Sequence, residues 1–250
     1  VAFEVGMYQL GGHALFVSSN ELQMGRVETI ADTAKVLSRY VDGIMIRTFG
    51  QEIVEELAQH ATVPVINGLT NEAHPCQVLA DFMTIYEKKG KLEGLKLAYV
   101  GDGNNMAQSL LVGCSIMGID CAIATPDHYR VQRNVFELAQ EKAKASGAAV
   151  YETNDPIDAV KDADIIYTDV WTSMGFEDET NERLTAFQPF QVNKELVKHA
   201  KDDYLFLHCL PAHRGEEVTS EVIDGPNSFV FDEAENRLHA QKAIMATVMR

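Results

Sequence analysis

Tyr204-Leu205-Phe206-Leu207-His208-Cys209-Leu210-Pro211-Ala212-His213-Arg214 begins as a four-residue apolar run and ends by bringing two imidazoles, a thiol and a guanidinium to one place. A short apolar run that gives way to a polar loop reads as a buried strand. In open α/β sheets, ligands bind beyond the carboxyl ends of the strands. Three other apolar runs lead into similar chemistry: Ile44-Met45-Ile46 into Arg47, Val63-Pro64-Val65-Ile66-Asn67 into His74 a little further on, and Ile165-Ile166-Tyr167-Thr168 into Asp169. Four strand ends carrying reactive side chains point to an active site.

Strands are expected near 13–17, 43–47, 63–67, 95–100, 120–124, 149–152, 164–168, 204–208 and 228–231. Helices are expected at 27–40, 50–60, 76–89, 105–118, 133–146, 156–162, 193–200 and 232–249. That alternation is the pattern of βα units and predicts an α/β fold of two doubly wound lobes with mostly parallel sheets. The polar, glycine-punctuated segment Lys88-Lys89-Gly90-Lys91-Leu92-Glu93-Gly94 separates a first lobe, 1–90, from a second, 91–231. The last helix, 232–250, is expected to cross back to the first lobe. It would pack through Ala234, Leu238, Met245 and Val248, with Arg237 at the margin of that face.

The chain has 250 residues, 46% hydrophobic and 23% charged, enough for one large core or two modest ones. Its net charge of -16 would repel nucleic acid and anionic membrane surfaces, so neither is expected as a partner. An anionic ligand would have to be gripped by a local cluster of Arg and His. Cys76, Cys114, Cys121 and Cys209 form no CxxC pair, which suits reduced thiols and a cytoplasmic setting. No apolar run approaches the roughly 20 residues of a membrane helix, and the first residues lack the pattern of a signal peptide.

His74-Pro75-Cys76-Gln77 opens an apolar-periodic helix, where Pro is tolerated in the first turn and His74 and Gln77 can both donate to one small anion or carbonyl. The plainer reading is an ordinary helix start with a surface histidine. Asp169-Val170-Trp171-Thr172-Ser173-Met174-Gly175 offers a carboxylate for an amine, with Ser173 and the Met174 backbone for a carboxylate; the plainer reading is a solvated loop anchored by its tryptophan. The long acidic segment 176–191 reads as a lid. Gly101-Asp102-Gly103-Asn104-Asn105 starts like a dinucleotide fingerprint, but Met106 stands where the third glycine belongs, and Asp120 opens its strand instead of ending it. No nicotinamide cofactor is expected, and Asn105 is left as a hydrogen-bonding group for a polar substrate. Cys209 by itself reads as readily as a small core residue, and Arg47 and Arg237 as surface groups. His208, His213 and Glu216 lack ligand spacing, so no metal is expected.

Taken together, HPCQ at 74–77, DVWTSMG at 169–175, HCLPAHRGEEV at 208–218 and ENRLHAQKA at 235–243 resemble the transcarbamoylase family in order and spacing, along essentially the whole chain. SMG, with HCLP in place of the HPLP-type loop of the aspartate enzymes, points to the ornithine-using branch. The resemblance implies transfer of a carbamoyl group from carbamoyl phosphate to the side-chain amine of L-ornithine, without organic cofactor or metal, in a homotrimer or a multiple of trimers. It implies that Gln23, Arg47, His74, Pro75, Cys76, Gln77, Cys209, Leu210 and Arg237 bind carbamoyl phosphate. Asn105, Asp169, Ser173 and Met174 would bind ornithine, and Arg47, His74, Asp169 and Cys209 would be catalytic. The family carries a Ser-Thr-Arg-Thr-Arg phosphate loop at a helix start, and Val1-Ala2-Phe3-Glu4 resemble the residues that follow it. The expectation is therefore an enzyme without its opening segment and with impaired activity. Two alternatives stand beside it: transfer to another amine such as putrescine, and an inactive ligand-binding remnant.

Overall fold

The computed structural model describes residues 1–18, 28–172 and 180–249. The chain divides into two compact units, residues 1–80 with 235–250, and residues 81–234. The first contains α1 (Ala2–Gln9), α2 (Ile30–Leu37), β1 (Ile44–Arg47), α3 (Gln51–His60), β2 (Val65–Leu69) and the start of α4 (Pro75–Lys89). α2 starts where the Thr29 hydroxyl accepts the Asp32 N–H at 3.1 Å, a side-chain cap for an orphan helix donor. β1 and β2 pair in parallel, Ile44 opposite Val65 and Ile46 opposite Asn67, with a slip before Arg47 that sets it opposite Leu69.

Residues 81–234 continue with β3 (Lys96–Val100), α5 (Asn105–Met117), β4 (Asp120–Ala124), α6 (Arg133–Ser146), β5 (Val150–Thr153), α7 (Pro156–Val160) and β6 (Ile165–Tyr167). There follow α8 (Thr180–Phe187), a 3-10 turn (Gln188–Phe190), α9 (Lys194–Val197), β7 (Leu205–Leu207), α10 (Ser220–Ile223) and the start of α11 (Val230–Val248). The five strands form one parallel sheet in the order β5-β4-β3-β6-β7. The chain builds outward from β3 in one direction and then returns to β3's other side, so β3 and β6 flank the switch point where doubly wound sheets bind ligands. Strands buried on both faces need continuous apolar sequence, and Leu97-Ala98-Tyr99-Val100 and Ile165-Ile166-Tyr167 supply it. Gly118, at φ 72°, ends α5 in the left-handed conformation that favours glycine, and Ile119 then opens onto β4.

Three expectations fail. Residues 13–17 form no strand, and Leu15, Phe16 and Val17 lie exposed. An extended run needs a ladder partner for its backbone groups, and β1 and β2 pair only with each other among the described residues. The expected strand at 228–231 is a single bridge from Ser228 to Phe206, because α11 has already begun at Val230.

The third failure is the buried face of α11. It consists of Val230, Glu233, Asn236, Ala240, Gln241 and Met245, while Ala234 and Val248 are exposed. Half of the buried positions are hydrogen-bonding side chains, so apolar spacing found Met245 and the half-buried Leu238 but misplaced Ala234 and Val248. Its second half, 235–248, belongs with the first unit. There Met245 joins Ile66 and Cys76 in a small core, and Lys242 Nζ donates to Gln9 Oε1 of α1 at 2.8 Å. Among the described residues no helix is long and apolar enough to cross a membrane, and all four cysteines are free thiols.

Candidate active site

In the first unit, the reactive groups gather at the carboxyl ends of β1 and β2. Arg47 closes β1 with its side chain exposed. After β2 the chain turns at Thr70, whose hydroxyl donates to Gln51 Oε1 at 2.9 Å and accepts the Ala73 N–H at 3.1 Å. That turn fixes the entry to α4 and drives His74 inward, leaving it only 8% exposed. Burial, then the charges of Arg237 and Arg47, lower the imidazole pKa from 6.5 to about 3. His74 is therefore a neutral ring at physiological pH, able to donate a hydrogen bond without adding charge.

One turn into α4, the buried Gln77 accepts a hydrogen bond from Arg237 Nη1 through Oε1. With the Gln241 amide turned to face it, Gln241 Oε1 accepts from the same guanidinium, 2.9 Å from Nη2 and 3.1 Å from Nε. A guanidinium held on several sides keeps one orientation, which suits recognition of a phosphate or carboxylate. Pro75 is exposed in the first turn. Cys76 points the other way, its thiol donating to the Asn67 carbonyl at 3.2 Å, and burial pushes its pKa up to about 11. The side chain of Cys76 thus belongs to the core, and any ligand contact there falls to its backbone.

In the second unit, the reactive groups gather at the switch point. Asp169 follows β6 and is 7% exposed. Its Oδ2 accepts from Asn104 Nδ2 at 2.8 Å, and its Oδ1 from the Cys209 thiol at 3.1 Å. Asn104 also caps α5, its Oδ1 accepting the Met106 and Ala107 N–H groups at 3.0 and 3.2 Å. Gly103 just before it lies against the backbone of residues 129–131, where a Cβ would meet Val131 N at 2.4 Å. Gly103 therefore serves close backbone packing, and Gly101 a positive φ of 151°.

Cys209 follows β7. Burial of the thiol and the Asp169 carboxylate raise its pKa well above the ordinary range, although the residue as a whole keeps some exposed surface. It is a protonated donor to Asp169, not a thiolate nucleophile. Leu210 has φ 55°, uncommon for a leucine, and its N–H donates to His208 Nδ1 at 2.9 Å. Nδ1 is thus an acceptor, so Nε2 carries the hydrogen and donates to Glu217 Oε1 at 3.2 Å. Both ring nitrogens of this fully buried histidine are committed to shaping the loop.

Of the site residues expected from sequence, the structure places Arg47, His74, Gln77 and Arg237 in one unit, and Asp169, Cys209 and Leu210 in the other. Asn105 starts α5, half-buried, beside the Asn104 that contacts Asp169. Gln23, Ser173 and Met174 lie outside the described residues. Residues 180–190, expected as part of a lid, are helical and anchored. Arg183 Nη1 lies 2.7 Å from Asp102 Oδ2 and donates to the Trp171 carbonyl at 2.9 Å, and its guanidinium sits 4.9 Å over the Tyr129 ring. Asn104, Arg183, Asp102 and Glu217 were missed. Only Asn104 had a usable signal, as an Asn in the cap position just before an apolar-periodic helix.

Residues 1–87 match the domain described as the carbamoyl-P binding domain of aspartate/ornithine carbamoyltransferase, and residues 93–248 match its Asp/Orn binding domain. The chain is 64% identical over 249 residues to the ornithine carbamoyltransferase of Bacillus subtilis, covering all of this chain and 78% of that one. It is 62% identical to that of Anoxybacillus flavithermus, again over the full chain and 79% of the relative. The solved structure of ornithine carbamoyltransferase from Pyrococcus furiosus superposes with a TM-score of 0.96 at 60% identity, covering 99% of this chain and 79% of that one.

Proposed function

The chain belongs to the aspartate/ornithine carbamoyltransferase family, and on that premise we infer that it transfers the carbamoyl group of carbamoyl phosphate to the side-chain amine of L-ornithine, giving L-citrulline and phosphate. The observation that carries this reading is that curated relatives 59–64% identical over nearly the whole chain are all named ornithine carbamoyltransferases.

We assign carbamoyl phosphate to the first lobe, residues 1–90 with the returning helix 232–250, and ornithine to residues 91–231. Arg47 and Arg237, with Gln23, would meet the phosphate, and His74 and Gln77 would donate to the carbamoyl group beside the backbone of Pro75 and Cys76. As the amine attacks, the carbonyl oxygen gains negative charge. A neutral imidazole donor and a fixed guanidinium stabilise that charge without having to reorganise. The low pKa of His74 supports this role, because a ring that is already neutral donates across the whole physiological range.

Ornithine's side-chain amine, lysine-like with a pKa of about 10.4, is neutral in roughly one molecule in a thousand at pH 7.4. Asp169, with Asn105, Ser173 and Met174, would hold the amino acid in the reactive pose. The protonated thiol of Cys209 enters as a donor that fixes Asp169, which leaves the departing phosphate as the acceptor of the amine's proton. A homotrimer, or a multiple of trimers, and a cytoplasmic setting complete the proposal. The test is citrulline formation from carbamoyl phosphate with ornithine or putrescine as acceptor. Turnover with ornithine that is lost when its α-carboxylate is removed supports the reading, and equal use of putrescine contradicts it.

A further inference from the structure

The loop that follows Cys209 carries three groups that no substrate of the proposed reaction meets: His213, Glu216 and Glu217. One ligand atom from each lies within 4.8 Å of the other two. His213 Nδ1 is 3.6 Å from Glu216 Oε2 and 4.0 Å from Glu217 Oε2. Spacing alone groups His208 with His213 and Glu216. In the fold the His208 ring turns to the Leu210 N–H and Glu217 Oε1, and Glu217 takes its place beside His213.

A solvent-facing His–Glu contact three residues apart is by itself an ordinary surface pair that contributes little. Glu217 sets this one apart. Its side chain is fully buried, and its Oε1 accepts from the His213 backbone N–H at 2.6 Å and from His208 Nε2 at 3.2 Å. Its Oε2 is buried as well, and has no hydrogen-bond partner among the described residues. A carboxylate oxygen in that position has given up water without replacement, which is costly. His213 Nδ1, at 4.0 Å, is beyond hydrogen-bond reach. The separations suit a shared cation instead. Tetrahedral bonds of about 2.0–2.2 Å set neighbouring ligand atoms about 3.3–3.6 Å apart, a spacing that His213 and Glu216 already have and that His213 and Glu217 approach.

The backbone beneath these groups is fixed by its own hydrogen bonds. The Glu216 N–H donates to the His213 carbonyl at 3.0 Å, the Gln191 amide to the Gly215 and Glu216 carbonyls at 3.0 and 2.9 Å, and the Val192 N–H to the Glu217 carbonyl at 2.8 Å. Arg214, the cation between the three in sequence, is committed to Asp224, with Nη2 2.7 Å from Oδ1 and Nε 3.1 Å from Oδ2. The grouping of Asp169, His208 and Cys209 differs, because both Asp169 oxygens and both His208 nitrogens have hydrogen-bond partners there.

We propose that His213 Nδ1, Glu216 and Glu217 Oε2 form a binding site for a divalent cation of the Zn²⁺ class, with solvent completing its coordination. An imidazole with two carboxylates is a donor set suited to such an ion, and the half-exposed His213 and Glu216 give it access. The ion is structural. It ties two exposed side chains to Glu217, whose other oxygen holds the His208 ring, and so braces the segment 208–217. This site stands independently of the carbamoyl-transfer reading.

The test is calorimetric titration of Zn²⁺ into the chelator-treated full chain and its His213→Ala, Glu216→Gln and Cys209→Ser variants. A binding event that His213→Ala and Glu216→Gln each weaken at least about tenfold, and that Cys209→Ser leaves within about threefold, is the expected result. Co²⁺ gives a second readout: its visible spectrum at this site shows nitrogen and oxygen ligation without a sulfur charge-transfer band. Thermal unfolding in the absence of metal checks that the variants fold, and added Zn²⁺ should raise the Tm of the parent more than that of His213→Ala. Absence of saturable binding leaves His213 and Glu216 as a surface ion pair and overturns the proposal. Binding that depends on Cys209 and not on His213 places the ion at Asp169 and overturns it as well.

Discussion

The strand ends of the two units solve opposite electrostatic problems. At the ends of β1 and β2, the charges are the guanidinium groups of Arg47 and Arg237, and the imidazole between them is kept neutral by burial and by those same cations. At the ends of β3, β6 and β7, the central group is the buried carboxylate of Asp169, braced by an amide and a thiol that both donate to it. The first arrangement suits a doubly charged acyl phosphate, and the second suits an amine. The same topological device, a loop at the carboxyl end of a parallel strand, thus acquires its specificity from which side chain arrives there and how completely it is stripped of water.

If the two regions divide the substrates in this way, substitutions in them separate cleanly. The largest effect is expected from Arg237→Ala, which removes a cation and leaves Gln77 and Gln241 without it. kcat/KM for carbamoyl phosphate should fall roughly a hundredfold, the equivalent of about two charge-assisted hydrogen bonds, with a much smaller change in KM for ornithine. Asp169→Asn should reverse that pattern. The ornithine KM should rise roughly ten- to a hundredfold, because the acceptor of the Asn104 and Cys209 bonds loses its charge. Steady-state kinetics with each substrate varied in turn checks both, and equal damage to both substrates by either variant would break the comparison.

A smaller effect concerns acid stability. His74 has a pKa of 6.5 when unfolded and about 3 in the fold. Between those values the unfolded chain binds more protons than the folded one, so stability present above this window is lost as the pH falls through it. Subtracting the unfolding free energy of His74→Gln from that of the parent should give a difference that shrinks by about 2 kcal/mol between pH 7 and pH 5. A difference that stays flat would mean that the imidazole is not held neutral. The smallest effect is at Cys209. Cys209→Ser keeps a donor for Asp169 and should retain kcat/KM within about tenfold, while Cys209→Ala, which leaves that carboxylate short of a donor, should lose more. Equal losses in the two would remove the thiol's donor role.

Much of this was legible in sequence because buried parallel strands carry continuous apolar runs. Ile44–Arg47, Lys96–Val100, Asp120–Ala124 and Ile165–Tyr167 all fall where Val, Ile, Ala and Tyr cluster, and Arg47 and Asp169 follow directly as strand ends. The illegible part is polar and buried. Arg183, Asp102, Glu217, Glu233 and Asp81 look like surface residues in a chain with 23% charged residues, and their partners lie far away in sequence, as with the 81 positions between Arg183 and Asp102. Helix α8, Thr180–Phe187, shows little apolar periodicity because its inward face carries a guanidinium. In α11 the same cause misdirected the expectation, since Glu233, Asn236 and Gln241 occupy positions that a reading of amphipathicity assigns to solvent.

The division of substrates between the two regions is tested most directly by calorimetric titration of carbamoyl phosphate, without ornithine, into the parent, Arg237→Ala and Asp169→Asn. The account predicts that Arg237→Ala binds at least about tenfold more weakly than the parent, the loss of one or more charge-assisted hydrogen bonds, while Asp169→Asn binds as the parent does. Weakening of equal size in both variants, or in Asp169→Asn alone, would contradict it.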